Sequence, residues 1–241
     1  ERIAISAELI NDFIAQNNVS SSDVFLCVPR ESVILRDIEF PLAVKENLRS
    51  TVRYKIESYV PMKLEDIYYD YQIIEENRQT NKLKILLVVV QKETLEAYSG
   101  LKERLGIGLT GISVDSTAYV NFLSQLSGTS RCPDYVFVHE QGGKVHFGVV
   151  SNKMLAYSRS TAFEQKEKVE DFLAGEFKPI DELVAGFQQP VKLLYMGSAN
   201  GNILLPHLQS KESFRIEYPD AAAAQISDPM IAPAMGLAFR G

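Results

Sequence analysis

The chain has no tryptophan, three histidines and two cysteines among 241 residues. Cys27 and Cys132 stand far apart, and neither belongs to a CxxC or Cys/His cluster. That excludes a disulfide framework and argues against a structural zinc site. Cys27 lies in an apolar run, where a free cysteine packs as a small hydrophobe, so a reducing compartment is expected. Long hydrophobic runs are also missing. Ile85 to Val90 is of strand length, far short of the roughly 18 residues a membrane-spanning helix needs. Excess positive charge is absent. A net charge of -6 gives no long-range pull on phosphate backbones, so no nucleic-acid partner is expected. There is no signal-peptide pattern, GxSxG or HExxH. The chain opens on Glu1 without a methionine and closes on Arg240-Gly241, which reads as a piece of a longer protein.

What is present is globular. Hydrophobic residues make up 46% and charged residues 23%, enough to bury a core in one large domain or two lobes. Leu9, Ile10, Phe13 and Ile14 give one face of a helix over 6–16. Val24–Val28 and 32–40 read as strands, ended by Pro29 and Pro41. From Leu42 to Tyr59 the apolar residues Val44, Leu48, Val52 and Ile56 recur at helical spacing, and Pro61 stops the pattern. Strands are expected at 67–74 and 83–90, paired across a polar turn at 75–82. A helix over 93–105 closes at Gly106, a strand follows at 109–114, and Asp115 is placed to cap a helix over 116–126. Ser127 to Pro133 is small, polar and proline-containing. It divides a first lobe, 1–127, from a second, 134–241. The second lobe begins with strands at 135–139, 145–150 and 154–158, separated by Gln141-Gly142-Gly143 and Ser151-Asn152-Lys153. Helix is expected over 164–187, broken near Pro179. A strand at 193–196, a loop Gly197-Ser198-Ala199-Asn200-Gly201, a helix at 203–209, a strand at 214–218 and a helix at 229–239 complete the chain. The order points to α/β with mixed sheets.

Several side-chain groups carry two readings each. His139 and His146 face each other across a hairpin in this register. They suit a zinc site if a third ligand exists and ordinary strand histidines if not. Glu65, Asp66 and Asp70, beside Tyr68, Tyr69 and Tyr71, read as a solvated strand edge. The tyrosines are interface material or core. Lys45, Arg49, Arg53 and Lys55 lie opposite the apolar stripe of their helix. They form a solvated face, or one turned to anionic lipid or an acidic partner.

Local patterns bring a family into view. Val28-Pro29-Arg30 with Val33-Ile34-Leu35-Arg36, Phe40-Pro41 with Glu46-Asn47-Leu48, and Tyr59-Val60-Pro61 with Ile67-Tyr68-Tyr69-Asp70-Tyr71 resemble segments of the cytoplasmic domain of type II secretion protein L and its type IV pilus relative PilM. So do Gly111-Ile112-Ser113-Val114-Asp115 and Met235-Gly236-Leu237-Ala238-Phe239-Arg240-Gly241, in the same order. The resemblance implies an actin-like, Hsp70-type two-lobed fold, lacking its N-terminal part, with a small inserted subdomain like that of FtsA. It implies a scaffold at the cytoplasmic face of the bacterial inner membrane rather than an enzyme. The partners implied are the N-terminal domain of the assembly ATPase and inner-membrane platform proteins of the M or PilN kind, and a homodimer remains open.

An actin-type ATPase cradles phosphate on two glycine-containing hairpins and needs carboxylates around magnesium. The second hairpin, Asp-x-Gly-x-x-x-Thr in active relatives, matches His139 to Val145 here. Histidine stands at the aspartate position, and Glu140 falls on the other face of the strand. Gly142, Gly143, Gly197 and Ser198 are therefore expected as vestiges of nucleotide loops. Gly142 and Gly143 also suit an ordinary hairpin turn, and Gly197 to Gly201 an ordinary strand–helix turn. ATP is expected only where an intact first hairpin precedes Glu1, so no cofactor is assigned to this chain.

Overall fold

The structure, a computed structural model, describes residues 11–12, 15–16, 24–105, 109–126, 132–163, 168–197, 203–219, 234 and 236–237. The chain divides into two compact units, Glu1–Ser113 and Val114–Gly241. Of the helix expected at 6–16, residues 11, 12, 15 and 16 are described and helical; of that at 229–239, residues 234, 236 and 237 are. Gly106 and the linker residues 127–131 lie outside the described residues.

The first unit runs β1 (Val24–Val28), β2 (Val33–Pro41), α1 (Leu48–Tyr59), β3 (Ile67–Asn77), β4 (Lys82–Gln91), α2 (Lys92–Leu105) and β5 (Leu109–Val114). β1 pairs with β5, so the elements between them form an insertion. The inserted sheet has the order β2-β4-β3 and is antiparallel throughout. Leu48, Val52 and Ile56 recur every fourth residue, which puts them on one face of α1. They are buried against Ile38, Phe40, Leu83, Ile85 and Leu87 of the sheet. Each such burial stabilises by about 1.5–3 kcal/mol.

α1 ends because the Pro61 ring disfavours the helical conformation at the residue before it; Val60 is extended at φ -134, ψ 145. Residues 42–47, expected as the first turns of this helix, form a 3-10 helix instead. At the junction the Ser50 and Thr51 hydroxyls both donate to the Asn47 carbonyl, at 2.8 and 3.0 Å, competing with the backbone ladder. Half of the polar stretch 75–82 is strand. After a bulge between Ile73 and Glu75, residues Glu75, Glu76 and Asn77 pair with Lys84, Leu83 and Lys82, which leaves only 78–81 as turn. Glu76 reaches Lys45 at 2.6 Å, so polarity here serves cross-element pairing.

The second unit runs α3 (Asp115–Gln125), β6 (Tyr135–Gln141), β7 (Lys144–Ser151), β8 (Met154–Ala162), α4 (Val169–Val184), β9 (Val191–Gly197), α5 (Leu205–Gln209) and β10 (Phe214–Glu217). Its sheet has the order β10-β9-β6-β7-β8. β6, β7 and β8 form the expected antiparallel meander, while β9 is parallel to β6 and β10 to β9. Parallel neighbours need crossover connections, supplied here by helices. Gly142 and Gly143, at φ 58 and 76, make the first hairpin turn, where positive φ at both positions suits glycine.

Side chains alternate across this sheet. Val136, Val138, Phe147, Leu193 and Tyr195 pack with α4, whose Leu173, Phe177, Ile180 and Val184 are buried. Pro179 sits inside α4 without breaking it. An interior proline costs about 3 kcal/mol. Burial of those apolar side chains, at about 1.5–3 kcal/mol each, outweighs it. The opposite face carries Phe137 and His139, with the Tyr119 ring of α3 at 5.5 and 5.1 Å. α3 begins one residue earlier than expected, so Asp115 is not an N-cap: Val114 holds that position, and no side chain caps it. A Cβ on Gly236 would overlap the Ala118 carbonyl of α3, so the final helical residues approach α3 closely only as glycine.

Candidate functional site

The end of β6 holds the residues singled out for nucleotide chemistry. Gly142 and Gly143 follow that end directly, and Gly197, the last residue of β9, stands opposite Glu140. The structure thus brings these three glycines to one end of the sheet, where parallel strands of α/β folds present their loops. Ser198 lies outside the described residues.

His139 occupies the position of the expected carboxylate. It is buried, and its Nδ1 lies 2.7 Å from the Tyr119 hydroxyl. Glu140 falls on the opposite face. It accepts a hydrogen bond from the Tyr195 hydroxyl at 2.6 Å and from the N–H groups of Ile203 and Leu204 at 3.2 and 3.4 Å. Leu204 is the N-cap of α5, so the amides at the start of that helix already face the protein's own carboxylate. A buried carboxylate is tolerable because donors surround it. Tyr195 is held well above the ordinary phenol range, first by burial and then by its hydrogen bond to Glu140.

His139 and His146 are direct cross-strand partners, as the register predicts. Their ring nitrogens engage protein groups. His146 Nε2 lies 3.2 Å from Ser116 Oγ and 3.5 Å from Asp115 Oδ1, and Ser116 Oγ is 2.6 Å from Ser158 Oγ. A serine, a histidine and an aspartate therefore meet, but not as a nucleophilic triad. Both partners address the same imidazole nitrogen, whereas a triad uses opposite ones, and Ser116 is fully buried. Sequence reading missed the Glu140–Tyr195 contact. The available signal was a tyrosine inside the apolar run Leu193 to Met196, whose buried hydroxyl needs a partner.

The first unit carries an open groove. A groove of about 1240 Å³ runs between the flank of α1, at Arg49, Ser50, Arg53 and Glu57, and the start of β3 from Ile67 to Tyr71. Tyr68 is 46% exposed, and Lys92 Nζ lies 5.7 Å from its ring centre. Tyr69 and Tyr71 pack partly onto the core, so the tyrosines divide between the two roles considered for them. Lys45, read as part of the same basic face, is paired with Glu76. No helix among the described residues is long and apolar enough to cross a membrane.

The family model of the type IV pilus assembly protein PilM matches residues 1–175. The type II secretion system protein L of Xanthomonas campestris pv. campestris is 25% identical over 87 residues, which is 36% of this chain but only 23% of that relative. Among solved structures, a PilM–PilN type IV pilus biogenesis complex aligns with TM-score 0.77 at 15% identity, covering 97% of this chain and 84% of that one. The cytoplasmic domain of EpsL, an inner membrane component of the type II secretion system of Vibrio cholerae, gives 0.63 at 12% identity, over 98% and 82%. A Bacteroides thetaiotaomicron protein with an actin-like ATPase fold gives 0.52 at 14% identity, over 96% and 82%. With its meander, its parallel β9 and β10 and its inserted sheet, the chain has an actin-like fold and belongs to the family of the type IV pilus assembly protein PilM.

Proposed function

We propose that this protein is a non-hydrolysing adaptor of a type IV pilus or type II secretion assembly platform, working at the inner membrane. The observation that carries this is the engagement of His139 and Glu140. In an actin-type ATPase this strand end offers a free carboxylate to hydrated magnesium. Here one residue is a histidine bonded to Tyr119, and the neighbouring carboxylate is occupied by Tyr195 and two backbone amides. A fold kept without that carboxylate serves as a binding platform, and the partner is the N-terminal domain of the assembly ATPase. Calorimetric titration of that domain into the protein should give a saturable heat. Absence of binding at tens of micromolar would remove this partner. Magnesium-ATP should leave the thermal midpoint unchanged, because a ligand bound only by the native state must raise it.

A second partner is supported by the likeness to the PilM–PilN complex. In that reading the first unit captures the N-terminal peptide of a PilN-like membrane protein. Titrating that peptide in parallel distinguishes the two partners.

A further inference from the structure

β3 is the outer strand of the inserted sheet and, among the described residues, pairs with β4 alone. No described strand pairs with the N–H and C=O groups on its other side. Native proteins guard such an edge with lysine, proline, a bulge or a covering element. From Ile67 to Ile73 the sequence is Ile-Tyr-Tyr-Asp-Tyr-Gln-Ile, without lysine or proline, and the bulge comes only after it. The Tyr71 N–H, on this outward side, donates to Asp70 Oδ1 at 2.9 Å. In an antiparallel strand, outward-facing backbone groups recur at every second residue, so those of Tyr69 and Ile73 share this edge. The Asp70 carboxylate stands where the carbonyl of an added strand would stand.

The groove above this edge has charges of unequal engagement. Glu57 accepts the Leu64 N–H at 2.8 Å, Glu65 is paired with Lys63 at 3.5 Å, and Asp70 covers Tyr71. Arg49 and Arg53 have no ion pair among the described residues, and neither does Lys92, which contacts the Tyr68 ring. Arg49 and Arg53 are one helical turn apart, about 5–6 Å between Cβ atoms. Alternate residues on one face of a strand are about 6.7 Å apart. A strand laid on β3 would therefore bring two carboxylates at i and i+2 to the two guanidinium groups.

We propose that the β3 edge and the Arg49/Arg53 flank of α1 form a docking groove for an extended, acidic segment of a partner protein. The segment adds a fourth strand to the β2-β4-β3 sheet. Its outward carbonyl displaces Asp70 from the Tyr71 N–H, and alternate carboxylates meet Arg49 and Arg53. A second copy of this chain fits less well, since edge-to-edge pairing would gather two Arg49/Arg53 pairs at one rim. The proposal relies on the adaptor reading only for the existence of a partner. Its test uses a synthetic peptide, so its failure leaves the titration with the ATPase domain to be judged separately.

The probe is a fluorophore-labelled peptide of alternating aspartate and valine, about six to eight residues long, the usual length of a strand. Fluorescence anisotropy should show saturable binding that weakens as salt rises. The double variant Arg49→Glu/Arg53→Glu should weaken it by about tenfold or more. Backbone N-methylation of the peptide at alternate residues should abolish it, because strand addition needs those N–H groups. Asp70→Ala should tighten it by a few fold, having removed both the competing acceptor and a like charge. A lysine–valine peptide should not bind. The idea is overturned by absence of binding, by binding that ignores the charge reversal, or by equal affinity for the N-methylated peptide. A concentration-dependent dimer lost on Tyr71→Pro in sedimentation would assign the edge to a second copy and also overturn it. Since Arg49, Arg53 and Asp70 are exposed, unchanged thermal midpoints check that each variant is folded.

Discussion

Both units place charged side chains beside a sheet, and they use them in opposite ways. In the second unit Glu140 faces the protein: its oxygens take the Tyr195 hydroxyl and the amides of Ile203 and Leu204, while His139 and His146 hold Tyr119 and Ser116. In the first unit Arg49 and Arg53 face an open groove and hold no carboxylate among the described residues. A buried charge must be satisfied internally or it unfolds its surroundings, whereas an exposed one can wait for a partner at little cost. Polar groups should therefore be worth stability in the second unit and binding in the first.

The largest effect should come from the closest packing in the second unit. Gly236→Ala places a methyl against the Ala118 backbone, which no side-chain rotation relieves. A clash with backbone goes beyond the usual overpacking cost of about 1–3 kcal/mol, and a lowered midpoint in thermal unfolding would register it. Glu140→Ala should come next, at about 3 kcal/mol, since it strands a buried tyrosine hydroxyl and two amides together. Tyr195→Phe, which leaves the amides in place, should cost about 2 kcal/mol. If Glu140→Ala were as stable as wild type, the reading of that carboxylate as the acceptor that closes this strand end would fail.

The same tyrosine gives a pH dependence. Its folded pKa lies above the unfolded value of about 10, so its contribution is full below pH ~10 and declines as pH rises beyond that. The alkaline fall in stability should be shallower in Tyr195→Phe than in wild type, read by denaturant titration across the alkaline range.

Local rules made much of this legible. The Val52/Ile56 stripe, the Val60-Pro61 stop and the Gly142-Gly143 turn each follow from neighbours in sequence. What escaped depends on distant residues. The 75–82 stretch looks like a turn until Lys45 and Lys84 are placed beside Glu76 and Glu75. Pro179 looks like a break until Phe177 and Ile180 are seen in the core around β7 and β9. At the site, the alternation of β6 correctly separated His139 from Glu140. Nothing local could say that Tyr195 and the start of α5 would close over that carboxylate.

The smallest effects probe the comparison most directly. Tyr135 is buried with no hydrogen-bond partner for its hydroxyl among the described residues, and burial pushes its pKa up. Tyr135→Phe removes a polar atom that gains nothing, so stability should hold or rise by up to about 1 kcal/mol, the reverse of Tyr195→Phe. Two tyrosines of one sheet would then give opposite signs for the same substitution, the difference being the Glu140 carboxylate. Arg49→Ala and Arg53→Ala in the first unit should change stability by less than about 0.5 kcal/mol, as surface substitutions without partners do. Measured by chemical denaturation, a loss of 2 kcal/mol or so at either arginine would reveal an internal role and erase the contrast between the units. A null result there, beside a loss for Glu140→Ala, leaves these guanidinium groups without a structural duty and turns attention to what the groove binds.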